Sequence, residues 1–123
     1  MKRNHRELRV WQFAMVLVER IYALTATFPK DEVYGLTSQM RRAAVSIPSN
    51  IAEGAARGTT KELLHFLRIA DSSLSELDTQ LELAKRLRYI ADTNEIIESM
   101  NQLSQSLAAL KSSLNRRITK TTD

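Results

Sequence analysis

Apolar residues recur at steps of three and four along most of the chain, and this period constrains the fold more than any other feature of the sequence. The clearest stretch runs from Leu63 to Ala84 in steps of 4, 3, 4, 3, 4 and 3, which is typical of a coiled-coil-like seam. Three glycines and two prolines in 123 residues are too few for the turns of a β-rich fold. The sequence therefore predicts an all-α protein.

Start and stop signals divide the chain into four helices, expected at approximately 7–28, 36–57, 60–88 and 93–117. Pro48 lies inside the second helix, and we expect a kink there rather than a break because the apolar spacing continues in phase. Thr59 with Glu62 predicts a capping box at the start of the third helix. Asp92 with Glu95 predicts the same arrangement at the start of the fourth.

The short connections between these helices favour antiparallel neighbours. We therefore expect a single domain over residues 1–123 that folds as an antiparallel up-down-up-down four-helix bundle. Several apolar residues lie off the main stripes, and a lone bundle has little room for all of them, which favours a homo-oligomer. They are Val10, Phe13, Val16, Leu64, Phe66, Ile69 and Leu83.

Neither a membrane span nor an export signal is recognisable in the sequence. The longest nearly apolar run, Phe13 to Val18, is far shorter than the roughly 20 residues of a membrane helix. Glu19 and Arg20 interrupt it, and no small-residue cleavage site follows. We expect a cytoplasmic protein with no membrane partner.

The basic excess of the chain is small but gathers at one end of the expected bundle. Lys and Arg number 18 against 14 Asp and Glu, a net charge of +4. In an up-down-up-down bundle residues 1–9, 53–62 and 116–123 share one end, and they carry +3, 0 and +2. Such a field attracts phosphate backbones with low sequence specificity, although solvated helix ends with charges suited to the helix macrodipole would look the same. The candidate phosphate contacts are Arg3, Arg6, Arg9, Arg57, Lys61, Arg116 and Arg117.

No group of residues predicts catalysis, a metal or a cofactor. The chain has no cysteine, which excludes disulfides, thiolate metal sites and a cysteine nucleophile. Glu62 and His65 have the E-x-x-H spacing of di-iron bundles, but the other histidine, His5, has Lys2 three residues before it, so no second motif exists. Neither histidine has an assignable triad partner, and no glycine-rich phosphate loop is present. We expect a protein that is not an enzyme, with no catalytic residues, no metal and no cofactor.

A row of polar residues follows one face of the second helix beside small alanines. Its members are Gln39, Arg42, Ser46, Asn50 and Glu53. One interpretation is a solvated face. The other is a hydrogen-bonded seam between helices or between subunits, where buried polar groups fix the register.

Four runs of the sequence together resemble one known family. They are Leu8–Ala14, Phe28–Gln39, Arg41–Gly54 and Glu76–Leu81, the last with Asp78 where the family has a glutamate. The chain is similar, to about residue 115, to bacterial four-helix-bundle proteins that are encoded, among other places, in intervening sequences of 23S ribosomal RNA genes. The resemblance implies a ring-shaped homopentamer. It also implies kinship with the accessory variability determinant of diversity-generating retroelements, a basic pentameric barrel that binds nucleic acid and a reverse transcriptase.

The first functional hypothesis is a non-enzymatic, homo-oligomeric bundle that binds nucleic acid, most plausibly RNA, through its basic end. The alternative is a protein-interaction scaffold that docks a partner protein on the polar face of the second helix and binds no nucleic acid. The family resemblance supplies no catalytic residues that could be assigned to this chain. The expected partners are therefore other copies of the chain, RNA or DNA, and a partner protein.

Overall fold

The computed structural model describes residues 4–121, and α-helices account for most of them. They are α1 (Arg9–Thr25), α2 (Leu36–Arg57), α3 (Thr60–Arg86) and α4 (Asn94–Thr121). Two short 3-10 turns, His5–Glu7 and Lys30–Glu32, precede α1 and α2. The described residues contain no strand, so the prediction of an all-α protein with four helices is confirmed.

The four helices share one apolar core. Helix α2 packs against α1 and α3, and α4 also contacts both α1 and α3. Each helix contributes side chains that solvent does not reach, and the seam predicted on α3 lies wholly in this core, from Leu63 to Ala84. Burying one leucine contributes about 1.5–3 kcal/mol, so a seam of this length contributes a large part of the stability.

Helix α1 is shorter than the expected 7–28, and both ends have a local cause. Leu8 has an extended backbone, which separates the 3-10 turn from α1. At the other end the N–H groups of Thr27 and Phe28 donate to the carbonyls of Leu24 and Thr25, at 3.2 and 3.1 Å. These three-residue bonds tighten the last turn ahead of Pro29 and end the α-helix early.

The two predicted capping boxes have different outcomes. At the start of α3 the Thr59 Oγ1 accepts the Glu62 N–H at 3.2 Å, so this cap is confirmed. At the start of α4 the prediction is wrong, because Asp92 Oδ1 accepts from the Asn94 N–H at 2.9 Å instead. The Glu95 carboxylate lies 3.1 Å from the Arg20 Nε of α1, an ion pair that directs it away from the helix start.

Helix α2 passes through Pro48 without a break, as the sequence predicts. Proline cannot donate to the carbonyl one turn earlier. The following two side chains give the neighbouring carbonyls additional donors, since Ser49 Oγ donates to Val45 O and Asn50 Nδ2 donates to Ser46 O, both at 2.8 Å. Bonds of this kind accompany a bent helix, and they keep this stretch of α2 satisfied.

Glycines set the close approach of α2 to α3 and the turn between them. Gly54 is buried, and a Cβ placed on it would lie 2.8 Å from the Phe66 Cβ and 3.3 Å from the Leu63 Cα. Gly58 has φ 91°, a left-handed conformation that glycine adopts without a steric penalty, and it ends α2. No helix in residues 4–121 is both long and apolar enough to cross a membrane.

Candidate nucleic-acid interface

The predicted phosphate contacts come from both termini and from the α2–α3 turn. Arg6 lies in the first 3-10 turn and Arg9 begins α1, while Arg57 ends α2 and Lys61 is in the first turn of α3. The last two candidates, Arg116 and Arg117, are in the final turns of α4. Arg3 lies outside the described residues.

Arg57 is already engaged by carboxylates. Its guanidinium lies 2.8 Å from Glu53 Oε1 and 3.9 Å from Glu62 Oε2. The same group stacks on the Phe66 ring, 5.1 Å from its centroid. Arg57 therefore adds less to the positive field than its formal charge suggests, and its principal contacts join the end of α2 to α3.

The turn before α1 is attached to the helix through an aromatic side chain. The Arg6 guanidinium lies 5.6 Å from the Trp11 ring centroid, and His5 contacts the same ring edge-on at 5.2 Å. Gln12 Nε2 donates to the Arg6 carbonyl at 2.9 Å. These contacts hold Arg6 beside the start of α1, where its side chain is exposed to solvent. No pattern in the sequence indicates this role for Trp11.

The second half of α4 is basic without interruption. After Glu98 the described part of the helix contains no acidic residue. Arg116 Nη1 donates to Ser112 Oγ at 2.9 Å, which extends the guanidinium along the helix surface. An open concavity on this side of α4 is lined by Ala108, Lys111, Ser112, Asn115, Arg116, Thr119 and Lys120. Lys120 is thus part of the basic surface although it is not among the predicted contacts, whereas Lys111 is paired with Asp71 of α3 at 2.6 Å.

Residues 6–110 match the family described as 23S rRNA-intervening sequence protein. The chain belongs to this family. The match confirms the resemblance seen in the sequence, and it includes Arg6, Arg9, Arg57 and Lys61 but stops before the last turns of α4. Comparison with curated proteins gives no match.

The polar row of this family member divides into three parts. At its centre Ser46 Oγ lies 2.9 Å from Ser73 Oγ of α3, and Asn50 Nδ2 donates to Ser46 Oγ at 3.0 Å. Glu53 is paired with Arg57, whereas Gln39 and Arg42 are exposed. The centre of the row is therefore a hydrogen-bonded contact between α2 and α3 of one chain.

A buried amide on α3 is only half satisfied. Gln80 is 5% exposed, and its Nε2 donates to Glu76 Oε1 at the long distance of 3.5 Å. Its Oε1 has no hydrogen-bond partner among the described residues. A buried acceptor without a donor costs about 1–3 kcal/mol, which makes Gln80 an unfavourable position in the isolated chain.

An apolar groove runs between α1 and α2. It is lined by Trp11, Met15, Val18, Val45, Pro48, Ser49 and Ala52. Met15 and Val45 are 38% and 40% exposed, so large apolar side chains reach the surface here. The groove is a candidate contact surface.

The surplus of apolar residues inferred from the sequence is smaller in the structure. Val10 and Leu64, counted there as lacking room, are 2% and 3% exposed and belong to the core. Both positions lie between the main apolar stripes of their helices, but the neighbouring helices cover that side as well. Val16 and Leu83 do remain exposed, so the surplus is only partial.

A second polar contact joins the α1–α2 and α3–α4 connections. The Tyr89 hydroxyl donates to Glu32 Oε2 at 2.7 Å, and Glu32 Oε1 accepts from the Leu36 N–H at 3.1 Å. The tyrosine hydrogen bond, followed by the backbone one, lowers the pKa of Glu32, and the same pairing raises the pKa of Tyr89. This pair ties the two connections together.

The described residues offer no metal centre. Within residues 4–121 no three His, Asp or Glu side chains come together in a way that could hold an ion. The Glu62 carboxylate accepts from the Thr59 hydroxyl at 2.9 Å, and the His65 ring lies edge-on to Phe66. The E-x-x-H pair is thus occupied by contacts at the start of α3.

Proposed function

We propose that this chain is a non-enzymatic, cytoplasmic helical-bundle protein that binds RNA through its basic end and acts as a homo-oligomer. The observation that carries the proposal is the charge of α4, which has no acidic residue after Glu98 in its described part. Membership of the 23S rRNA-intervening sequence family is compatible with an RNA ligand but does not name one.

The proposal takes successive helices to run in opposite directions. Contacts between distant residues support this arrangement, because Glu95 at the start of α4 pairs with Arg20 in the last turns of α1. The hydrogen bond from Tyr89 to Glu32 likewise joins the α3–α4 connection to the α1–α2 connection. The starts of α1 and α3 and the end of α4 then lie together at the other end, which we call the basic end.

The chemistry of the basic end favours a phosphate backbone over specific bases. Its basic groups are arginine and lysine side chains, which contact phosphates without reading sequence. The two rings that lie against these arginines are already engaged, because Trp11 contacts Arg6 and His5 and Phe66 contacts Arg57, which leaves little of them for stacking on bases. We therefore expect strong salt dependence and little sequence preference.

A salt titration tests this function. A fluorescent oligo(U) 20-mer is titrated with protein between 50 and 300 mM KCl and followed by anisotropy. The double variant Arg9→Ala, Arg116→Ala is expected to lower the slope of log K against log salt by about 1.4, because each lost contact with a single strand removes about 0.7. At 0.1 M salt this corresponds to a loss of affinity of about 25-fold.

The control is the double variant Lys85→Ala, Arg86→Ala, which removes the same charge near the opposite end of α3. Both side chains pair with Glu82 and are exposed, so RNA binding should change by less than twofold. No RNA binding by the unmodified protein at 50 mM KCl, or equal losses in the two double variants, would contradict the proposal.

For the homo-oligomer we propose that a second copy occupies the apolar groove between α1 and α2. Arg42 borders this region, and its guanidinium has no described partner. Asp78, in the groove between α3 and α4, likewise has no described partner for its carboxylate. Contact between these two different faces would place opposite charges together. Because each copy would use one face toward each neighbour, the contact could repeat, and copies related by a suitable rotation would close into a ring. The family resemblance suggests a pentamer.

Light scattering tests the assembly. We expect a mass several times 14.0 kDa for the unmodified chain. Val45→Glu places a charge in the groove and should give a folded monomer, since Val45 is 40% exposed and its loss barely affects the core. Leu83→Glu, a matched change at another exposed apolar position, should leave the mass unchanged. A mass near 14 kDa for the unmodified chain would exclude the oligomer.

The second candidate function is a scaffold for a partner protein. It is favoured by Gln39 and Arg42, which stay exposed on α2 while the rest of the polar row is engaged within the chain. This candidate predicts that Arg42→Ala abolishes capture of a partner protein while the protein shows no RNA binding at 50 mM KCl. Steep salt-dependent RNA binding favours the first candidate instead.

A further inference from the structure

Two basic residues of α3 lie on the side of that helix that faces α4. Lys61, Arg68 and Ser75 are seven residues apart, so they follow one line along α3. Ser75 lines the groove between α3 and α4, together with Asn101 of α4. Extended toward the start of α3, the same line carries Lys61 and Arg68, which are both exposed.

An ion pair fixes the register of α3 against α4. Lys111 Nζ lies 2.6 Å from Asp71 Oδ2, and farther along α3 the groove is lined by residues 74–79 opposite residues 100–104. The two helices therefore run antiparallel. At 1.5 Å per residue, Arg68 lies about 4.5 Å from the level of Asp71, and Lys61 about 15 Å from it, next to the last turn of α4.

The α3 side of this stretch is basic. At the same level of the bundle, α4 carries Arg116 and Lys120, which line a concavity of that helix together with the neutral donors of Ser112, Asn115 and Thr119. Among the described residues no carboxylate pairs with the side chains of Lys61, Arg68 or Lys120. The first carboxylate along the groove is that of Asp71, and Asp78 follows about 10 Å beyond it.

We propose that the groove between α3 and α4 holds the backbone of a single RNA strand, which enters at the basic end and stops at the Lys111–Asp71 pair. The groove between two packed helices lies on their surface and is no wider than the 8–10 Å between their axes, which is too narrow for a duplex to enter. Arg68 is the contact specific to this groove, and Asp71 repels the next phosphate. The inference rests on the proposed RNA binding and extends it from the end of the bundle to a defined path on its side.

Two single substitutions of opposite sign test the path. Arg68→Ala should weaken binding of the oligo(U) 20-mer about fivefold at 0.1 M salt and lower the salt slope by about 0.7. Asp71→Asn removes the repelling charge and releases Lys111, so it should strengthen binding about fivefold and raise the slope by about 0.7. Arg68 is exposed and Asp71→Asn keeps the shape of the side chain, so both variants should fold.

Matched controls separate this path from general electrostatics. Arg86→Ala removes an exposed arginine from the other end of α3, and Glu98→Gln removes an exposed carboxylate from the first turns of α4. Both should change affinity by less than twofold. A 20-base-pair duplex RNA should compete poorly with the single strand.

Each outcome bears on one of the two proposals. If Arg68→Ala and Asp71→Asn both stay within twofold of the unmodified protein while Arg9→Ala, Arg116→Ala loses affinity, the groove is excluded and RNA binding at the basic end stands. Equal competition by the duplex also excludes the groove. If the unmodified protein binds no RNA at 50 mM KCl, RNA binding itself is excluded.

Discussion

Gly54 lies where α2 contacts α3, and we expect a single methyl group added there to change the free energy of unfolding. In a helix interior, glycine to alanine normally stabilises by about 1 kcal/mol through backbone propensity. Here the new Cβ would lie 2.8 Å from the Phe66 Cβ, 3.2 Å from the Leu63 Cδ1 and 3.3 Å from the Leu63 Cα. Carbon atoms in favourable contact are about 3.5–4.0 Å apart, so the two helices must separate locally by close to 1 Å.

This separation decides the sign of the effect. The Phe66 Cβ and the Leu63 Cα move only with the backbone of α3, so rotation of a side chain cannot relieve them. Overpacking of this kind costs about 1–3 kcal/mol, and the separation also strains the Ser46–Ser73 hydrogen bond of 2.9 Å. After the propensity gain is subtracted, Gly54→Ala should lower the free energy of unfolding by up to about 2 kcal/mol and Tm by up to about 8 °C.

Urea and thermal unfolding at a fixed protein concentration measure this change. Ala56→Gly, on the exposed side of the same turn, is the control for propensity alone and should cost about 1 kcal/mol. Shortening Phe66 to alanine retains its Cβ, so the double variant Gly54→Ala, Phe66→Ala should show no rescue. A Gly54→Ala protein more stable than the unmodified one would refute the reasoning, because it would mean that α2 and α3 can separate at no cost.

Three further predictions concern polar contacts. The folded-state pKa of Glu32 is lowered, so the stabilisation from its pairing is present above the pKa of an unfolded glutamate, about 4.3, and is lost as the pH falls further. Tyr89→Phe should therefore flatten the dependence of Tm on pH between 6 and 3. An unchanged slope would contradict this. Gln80→Leu removes the unpaired buried acceptor and should raise the free energy of unfolding by about 1 kcal/mol in urea titrations, whereas a fall would show that the Oε1 is satisfied. Thr59→Ala removes the cap of α3 and should cost about 1 kcal/mol, with Thr60→Ala, one residue later, as the control.

The parts of the fold that could be predicted from the sequence depend on neighbouring residues. The seam on α3 follows from the spacing of its own leucines, and the Thr59 cap is decided within four residues. The hydrogen-bonded centre of the polar row was one of two open interpretations. Choosing between them required knowing that Ser73 lies opposite Ser46, which no local pattern of α2 contains.

The parts that could not be predicted depend on residues far apart in the chain. Glu95 pairs with Arg20 rather than capping α4, and 75 positions separate the two. Val10 and Leu64 are covered by neighbouring helices whose positions the apolar period does not give. The pairing of Arg57 with Glu53 is different, because the i, i+4 spacing of opposite charges is present in the sequence itself, although Arg57 is predicted there as a phosphate contact.

The net charges of the segments predict a basic end but not a path on its surface. A count assigns each charge to a position along the helix, whereas a ligand meets the face on which the side chain lies. Arg57 belongs to a counted segment, but two carboxylates hold its side chain. Arg68 lies outside the counted segments, and its exposed side chain has no described carboxylate partner. The Lys111–Asp71 pair shows which residues of α3 and α4 lie at the same level. In the proposed path it also marks where the charge of the groove changes from positive to negative. If a bound strand follows that change of sign, Asp71→Asn will bind RNA more tightly than the unmodified protein, and Glu98→Gln will not. A uniformly attractive basic end would not predict such a difference between the two carboxylates.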